Sequence, residues 1–318
     1  MIKNGNLIHK SLFAYRLLGW FLINMLIAFL LNNFLNLAFK IPFAIDFITK
    51  NQSLSIMPIS IYLIAFGLSI FISYKNLEKP YSWDSSLLHA FNLYFIRSCF
   101  WSVLLVGSID VIIAFMRVEE VNEILFNDVL VRALKKPSFV CTYIHIPLIL
   151  ISFVIGYFTK TLGFTWLALM IVCAELIIVI TRFVFSYEQS FMGDLVRYWY
   201  AALFLFASAY TLFEDGHVRV DVFYTNLKAK TKSIVNASGS ILLGISTCVA
   251  ILFVGFNGKQ SIINSPILNF EITQQGSVGM FVKYQLAAFL GVFAISMLIQ
   301  FISYYFSSLS KINELKKS

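Results

Sequence analysis

The densest group of polar side chains in the sequence is the segment EDGHVRVD, from Glu214 to Asp221. It directly follows an apolar run and places five ionisable or imidazole side chains within eight positions. Such groups are costly beside a lipid bilayer unless they are paired. In an extended segment His217, Arg219 and Asp221 share one side, whereas a helix brings His217 and Asp221 together at a spacing of four. Either geometry predicts a compact charged cluster suited to ion pairing.

Two roles are open for this charged cluster. The first is structural: a helix cap and a set of salt bridges that close a tight turn, with Gly216 supplying a left-handed backbone conformation next to Asp215. The second is direct contact with a partner protein. The residue types alone favour the structural role.

Two further charged side chains lie well inside apolar runs that are long enough to cross a membrane. Glu175 is near the middle of one run, and Arg97 is about one third of the way through another. If both helices run outward, a rise of about 1.5 Å per residue gives them depths that differ by about 5 Å. We therefore predict an intramembrane ion pair between Arg97 and Glu175. The alternative is that each side chain faces a partner subunit.

The residues needed for catalysis or cofactor binding are sparse. The four cysteines lie inside or at the edge of apolar runs without a CxxC pair, which is typical of packing residues. Haem ligation needs histidines on facing helices at one depth, but His89 and His145 are expected at opposite ends of neighbouring helices. Only His89 with His217 is geometrically conceivable. We predict no enzyme activity, no metal site and no bound cofactor.

The composition defines the elements that must position these residues. Of 318 residues, 59% are hydrophobic and 13% charged, against about 25% charged in soluble domains. The net charge of +8 is spread between apolar runs, so no basic face for nucleic acid is expected. The predicted fold is an all-α integral membrane protein with about eight transmembrane helices. The apolar runs are about Leu12 to Phe39, Ile56 to Tyr74, Leu87 to Met116, Val140 to Phe158, Leu162 to Phe185, Leu195 to Phe213, Ile234 to Phe256 and Val278 to Phe306.

Two of these runs leave the helix count open between seven and eight. The run at Leu195 to Phe213 is short, and the run at Val140 to Phe158 contains His145 and Pro147. The distribution of lysine and arginine predicts that both termini are cytoplasmic. The segment from Arg117 to Pro137 has apolar residues at a helical period, which predicts an amphipathic helix at the membrane interface or a helix in a soluble loop.

The stretch from Thr181 to Leu227 resembles the small membrane subunit of tripartite ATP-independent periplasmic (TRAP) transporters, the DctQ-like family. Thr181, Arg182 and Phe183 match an Arg-aromatic element of that family, and Arg197 matches a later basic residue. The family's tryptophan and two acids are reduced here to Asp194. An alanine-rich helix follows, and the closing motif HVRVD is matched in full. The residues assigned to this subunit-interface or structural motif are Asp215, Gly216, His217, Arg219, Asp221, Arg182, Asp194 and Arg197.

The resemblance covers about Leu162 to Phe306. It implies a four-helix small-permease domain at 161–318, preceded by a membrane extension of about four helices at 1–160. It further implies a place in the bacterial inner membrane beside a large DctM-like permease, which carries the substrate and sodium sites and moves as an elevator. A periplasmic binding protein delivers the solute, expected to be an organic acid. This chain would be a fixed brace in contact with membrane lipid and would hold no cofactor of its own.

Two other hypotheses concern the remaining charges. Arg182 and Arg197 flank an outer loop that contains Glu188 and Asp194, and this loop with the segment 257–277 forms a candidate dock for the binding protein. The simpler interpretation is that the arginines reach lipid headgroups. The alternative function is a stand-alone transporter or channel, in which Arg97, Asp110 and Glu175 would line a pathway.

Overall fold

The computed structural model describes residues 2–43, 56–187, 189–214, 224–272 and 278–317. All regular secondary structure in these ranges is helical. Seven helices in them are long and apolar enough to cross a membrane, which confirms the predicted all-α fold of a multi-pass membrane protein. They are α1 (Ile2–Phe39), α2 (Ile56–Lys75), α3 (Tyr81–Val118), α6 (Pro137–Phe158), α7 (Phe164–Val184), α9 (Ala229–Gly255) and α11 (Lys283–Lys317).

The helix α8 (Ser190–Phe213) has the length of a membrane span but a more polar composition. Its 24 residues extend about 36 Å. It carries Arg197 and the polar aromatic side chains of Tyr198, Trp199 and Tyr200, so it is less apolar than the seven spans. The predicted eighth crossing is therefore not confirmed, although α8 packs in the middle of the molecule against α3, α7 and α11.

Within the described ranges, three short helices connect the long ones. The predicted amphipathic segment after α3 forms two of them, α4 (Asn122–Leu125) and α5 (Asp128–Leu134). They are separated because the Asn127 side chain caps α5, accepting a hydrogen bond from the backbone N–H of Leu130 at 3.0 Å. The third, α10 (Asn264–Leu268), precedes α11.

Two long spans, α3 and α11, pack against each other in the centre of the fold. At 38 and 35 residues they extend about 57 and 52 Å, well beyond the hydrocarbon thickness of about 30 Å. Helix α3 also contacts α6 and α8, and α11 also contacts α8 and α9. Helices from both halves of the chain thus share one core, while the division at residue 160 stays a prediction.

Polar side chains join α3 to α11 along their length. The amide of Asn92 donates to the carbonyl of Ser296 at 3.0 Å and to Gln300 Oε1 at 3.2 Å. One end of this contact is closed by Ser85 and Ser303, whose hydroxyl groups each donate to the other's carbonyl. Interhelical hydrogen bonds and close packing hold membrane helices together where apolar surface alone cannot.

Small residues permit two close helix contacts. A Cβ atom on Gly107 of α3 would lie 2.3 Å from Nε1 of Trp199, and one on Gly244 of α9 would lie 2.6 Å from the Phe301 ring. Ser240 and Cys248 are buried with Gly244 on the same helix. The small-residue ridge at these three positions therefore serves internal packing.

Candidate functional site

Except for Glu214, the charged cluster after α8 lies outside the described residues. The predicted site residues in this part are Asp215, Gly216, His217, Arg219 and Asp221. On its described C-terminal flank, the hydroxyl of Tyr224 donates to Asn236 Oδ1 at 3.0 Å, and the ammonium of Lys232 lies 5.4 Å from the Tyr224 ring centroid. The flank is thus fixed to the start of α9, and the role of the cluster itself stays a prediction.

Arg97 and Glu175 do not form the predicted ion pair in the described part of the chain. The guanidinium of Arg97 donates instead to the carbonyls of Thr159 at 2.6 Å and Gly156 at 3.3 Å. These carbonyls close the C-terminal end of α6, where the helix dipole favours a cation. Arg97 therefore caps a neighbouring helix of the N-terminal extension.

The depth of Arg97 explains the difference. Arg97 lies three residues before Phe100 on α3, or about 4.5 Å nearer the start of that helix. Gly163, just before α7, lies beside Phe100: a Cβ there would be 3.4 Å from the Phe100 Cβ. Glu175 is twelve residues further along α7 than Gly163, or about 18 Å outward. The two charged groups are too far apart along the membrane normal to pair.

Glu175 and Arg182 point away from the rest of the chain. Both are exposed in the described structure. They are seven residues apart on α7, so they share one face at a distance of two helical turns. This arrangement leaves a carboxylate and a guanidinium available to whatever covers α7.

Asp194 and Arg197 have separate roles, although the sequence motif groups them. The Asp194 carboxylate is 2% exposed and accepts a hydrogen bond from the backbone N–H of Met280 at 3.3 Å, which holds the segment before α11. Its burial makes Asp194 unavailable to a binding protein. Arg197, 79% exposed and 3.9 Å from Asp194, faces outward. Glu188, the other acidic residue of the proposed dock, is outside the described residues.

The main polar network is centred on Asp110 and His145, which sequence reasoning did not pair. Both side chains are fully buried. The Asp110 carboxylate lies 3.2 Å from Nε2 of His145 and accepts the backbone N–H of Phe281 at 2.7 Å. His145 belongs to the wide helical turn Cys141–His145 within α6, and its Nδ1 lies 3.1 Å from the hydroxyl of Tyr284.

This network continues into the second half of the chain. The amide of Gln285 donates to the Tyr284 hydroxyl at 2.7 Å, and the Tyr198 hydroxyl donates to Gln285 Oε1. Arg117 of α3 donates to the carbonyl of Gly279 at 2.6 Å. The network therefore connects α3 and α6 of the extension with α8 and α11.

The sequence contained a weak signal for this network. Asp110 and His145 are the ionisable side chains that lie deepest within their apolar runs, after Arg97 and Glu175. Their pairing depends on how α3 and α6 rotate about their axes, which hydropathy does not determine. The general rule that buried charged groups are paired does not by itself say which residue is the partner of which.

A second buried cluster fixes α1 to the start of α3. Nε of Arg16 lies 2.9 Å from the Asp84 carboxylate, whose other oxygen accepts Nε1–H of Trp20 at 2.9 Å. Arg16 also donates to the carbonyl of Lys79 at 2.5 Å and lies 5.0 Å from the Tyr81 ring centroid. These contacts hold α1 to the turn between α2 and α3.

The outer loop after α7 is tied to the end of α3. The hydroxyl of Tyr187 donates to the carboxylate of Glu119, and this hydrogen bond raises the pKa of Tyr187 above its usual value. The contact positions the loop next to the short helices α4 and α5.

Metal and haem ligands do not assemble in the described part of the chain. No group of three or more His, Cys, Asp or Glu side chains there could hold a metal ion. His89 lies 3.2 Å from Gln300 Oε1 and stacks on Phe213 with ring centroids 3.5 Å apart. His89 thus has a packing and hydrogen-bonding role, as His145 has in the network with Asp110.

The second half of the chain matches a known family. Residues 168–306 match the family model of the DctQ component of tripartite ATP-independent periplasmic transporters. No curated protein and no solved structure matches the chain. The matched range covers most of α7, all of α8 to α10, and α11 as far as Phe306. Residues 168–306 therefore form a region that matches the DctQ family, and in this chain further long apolar helices precede it.

Proposed function

We propose that this chain is the small membrane subunit of a TRAP transporter and braces a large, elevator-type permease in the bacterial inner membrane. The match of residues 168–306 to the DctQ component carries the proposal. The large subunit holds the sodium and substrate sites and moves a small solute, expected to be an organic acid. A periplasmic binding protein delivers this solute, and the present chain holds no cofactor.

The pattern of charges supports a brace over a stand-alone transporter. Of the three residues that could line a pathway, Asp110 is fully buried in a static network and Arg97 caps α6. The third, Glu175, is exposed on the outside of the helix packing. A pathway through this chain would need ionisable groups facing a shared cavity.

The proposed topology places both termini in the cytoplasm, which requires α8 to cross the membrane as an eighth span beside the seven apolar ones. Lys3 and Lys10 precede the first span, and Lys311, Lys316 and Lys317 lie at the end of the last. An excess of lysine near the ends of spans marks the cytoplasmic side.

The test is reconstitution. The tagged chain should co-purify with a large DctM-like permease when the two are co-expressed, and liposomes should take up solute only when both membrane subunits and the binding protein are present. Uptake by this chain alone would overturn the proposal. Failure of the wild-type chain to co-purify with any large permease would also count against it.

A further inference from the structure

Helix α7 is largely uncovered by the rest of the chain. Of its 21 residues, only Leu167, Ile171 and Ala174 are buried. These three lie on one stripe, so the other sides of the helix face outward. An apolar helix in this position contacts either lipid or another protein.

Glu175 is the side chain that indicates whether lipid or protein covers α7. It is eleven residues from Phe164 and nine from Val184, which places it about 16 and 14 Å from the two ends of the helix. Arginine and lysine near a helix end can reach the headgroups with a long side chain. A glutamate side chain at this depth is too short to do so, and acyl chains offer no hydrogen-bond donor. The exposed carboxylate therefore calls for a polar group at the same depth.

The surface around Glu175 is defined by helical spacing. Val172 and Val179 lie one turn to either side of Glu175, and Arg182 lies two turns outward on the same face. All four are exposed. Cys173 is also exposed but lies about 160° around the helix from Glu175, which makes it a matched position at nearly the same depth. We call the four residues Val172, Glu175, Val179 and Arg182 the Glu175 face.

We propose that the Glu175 face binds a transmembrane helix of the large permease subunit, which presents a hydrogen-bond donor to Glu175 at mid-membrane depth. This inference rests on the proposed function. The apolar side chains of the face supply close packing, and Glu175 fixes the depth of the partner helix. At the outer end, Arg182 donates hydrogen bonds to a carboxylate or carbonyl group of the partner. The face thus has both the shape of a helix contact and a charge pattern that a lipid does not complement.

Photocrosslinking tests the direction of the face. p-Benzoylphenylalanine is placed at Val172 or, in a second variant, at Cys173 of the full chain, which is expressed with its large permease subunit. Illumination of the membranes should crosslink the Val172 variant to the large subunit at a yield at least about fivefold above that of the Cys173 variant. Equal yields, a reversed preference, or a crosslink from Val172 to a second copy of this chain would overturn the inference.

Substitution tests the role of the carboxylate. Glu175→Leu should lower the yield of co-purified large subunit by about tenfold, the effect of losing one interhelical hydrogen bond in a membrane. Glu175→Gln, which keeps a hydrogen-bonding side chain, should lose less, and Cys173→Leu should lose nothing. Because Glu175 is exposed, the melting temperature of the isolated chain should stay within about 2 °C in each case. If wild type and Glu175→Leu co-purify equally well, this inference fails while the proposed function stands; if wild type does not co-purify, the proposed function fails.

Discussion

The Asp110 network and the Glu175 face show two opposite ways of placing a carboxylate within the membrane. Asp110 is fully buried between α3, α6 and the segment before α11, with His145 and the Phe281 N–H as partners. Glu175 lies on the uncovered side of α7. A carboxylate that is satisfied inside the chain strengthens the fold, whereas one that faces outward must be satisfied by something else.

This difference separates stability from assembly. The Asp110 network links the N-terminal extension to the DctQ domain, so its loss should affect the chain by itself. The Glu175 face contributes little to the isolated chain and should matter when the large subunit is present. The two regions therefore respond to different measurements.

The largest expected effect is the loss of Asp110. Asp110→Ala leaves His145 and the Phe281 N–H without their shared partner in a buried site, which should reduce the free energy of unfolding by about 3–5 kcal/mol. The measurement is thermal or denaturant unfolding of the purified chain in detergent. Glu175→Ala is the matched control at a similar depth and should change stability by less than about 0.5 kcal/mol. Equal losses for the two variants would remove the distinction between the regions.

The helical type of the fold and the seven apolar spans could be predicted from the sequence, because apolar composition and length suffice to define a span. Helix α8 is the exception, since its Tyr and Trp residues lower its hydropathy although Tyr198 and Trp199 pack inside. The relative depths of Arg97 and Glu175 could not be predicted, because the shift of α3 against α7 along their axes is set by packing contacts such as that of Gly163 beside Phe100.

The pairing of buried charged side chains could also not be predicted from the sequence. Asp110 and His145 are 35 residues apart, and their contact depends on the relative rotation of two helices and on the wide turn Cys141–His145. The predicted ion pair named Arg97 and Glu175, which the described structure does not bring together. Polar side chains across helices do connect the extension to the DctQ domain, through Asp110, His145 and Tyr284.

An intermediate effect is expected one turn from Asp110, at the close contact of α3 with α8. Gly107→Ala puts a methyl group 2.3 Å from Nε1 of Trp199, which donates to the carbonyl of Val103 at 3.2 Å. The resulting shift of the helices should cost about 1–3 kcal/mol of stability. The matched control is Gly193→Ala in α8, where a Cβ atom meets nothing within 4 Å. This control should be neutral or stabilise the chain by up to about 1 kcal/mol, as alanine does in an open helical position.

That prediction has a clear contrary outcome. If Gly107→Ala and Gly193→Ala unfold at the same temperature, then α3 and α8 are not packed as closely as described. The contact between the extension and the DctQ domain would then depend on the polar network alone.

The smallest expected effect on stability concerns Arg197, which the sequence motif groups with Asp194. Because Arg197 is 79% exposed and 3.9 Å from Asp194, Arg197→Ala should change the free energy of unfolding by about 0–1 kcal/mol. Asp194→Ala, which removes the buried acceptor of the Met280 N–H, should cost more, by about 1–3 kcal/mol. Unfolding of both purified variants measures this difference.

Arg197→Ala and Arg197→Lys together distinguish an interface role for Arg197 from a lipid contact. If Arg197 belongs to a subunit interface, Arg197→Ala should lower co-purification of the large permease although the isolated chain stays stable. If Arg197 only reaches lipid headgroups, Arg197→Ala should leave both stability and co-purification unchanged. Arg197→Lys keeps the positive charge, so it should behave as wild type if the charge alone is needed. A bidentate contact with a carboxylate of the large subunit would instead make the lysine variant nearly as weak as the alanine variant, because an ammonium cannot reproduce the two parallel hydrogen bonds of a guanidinium.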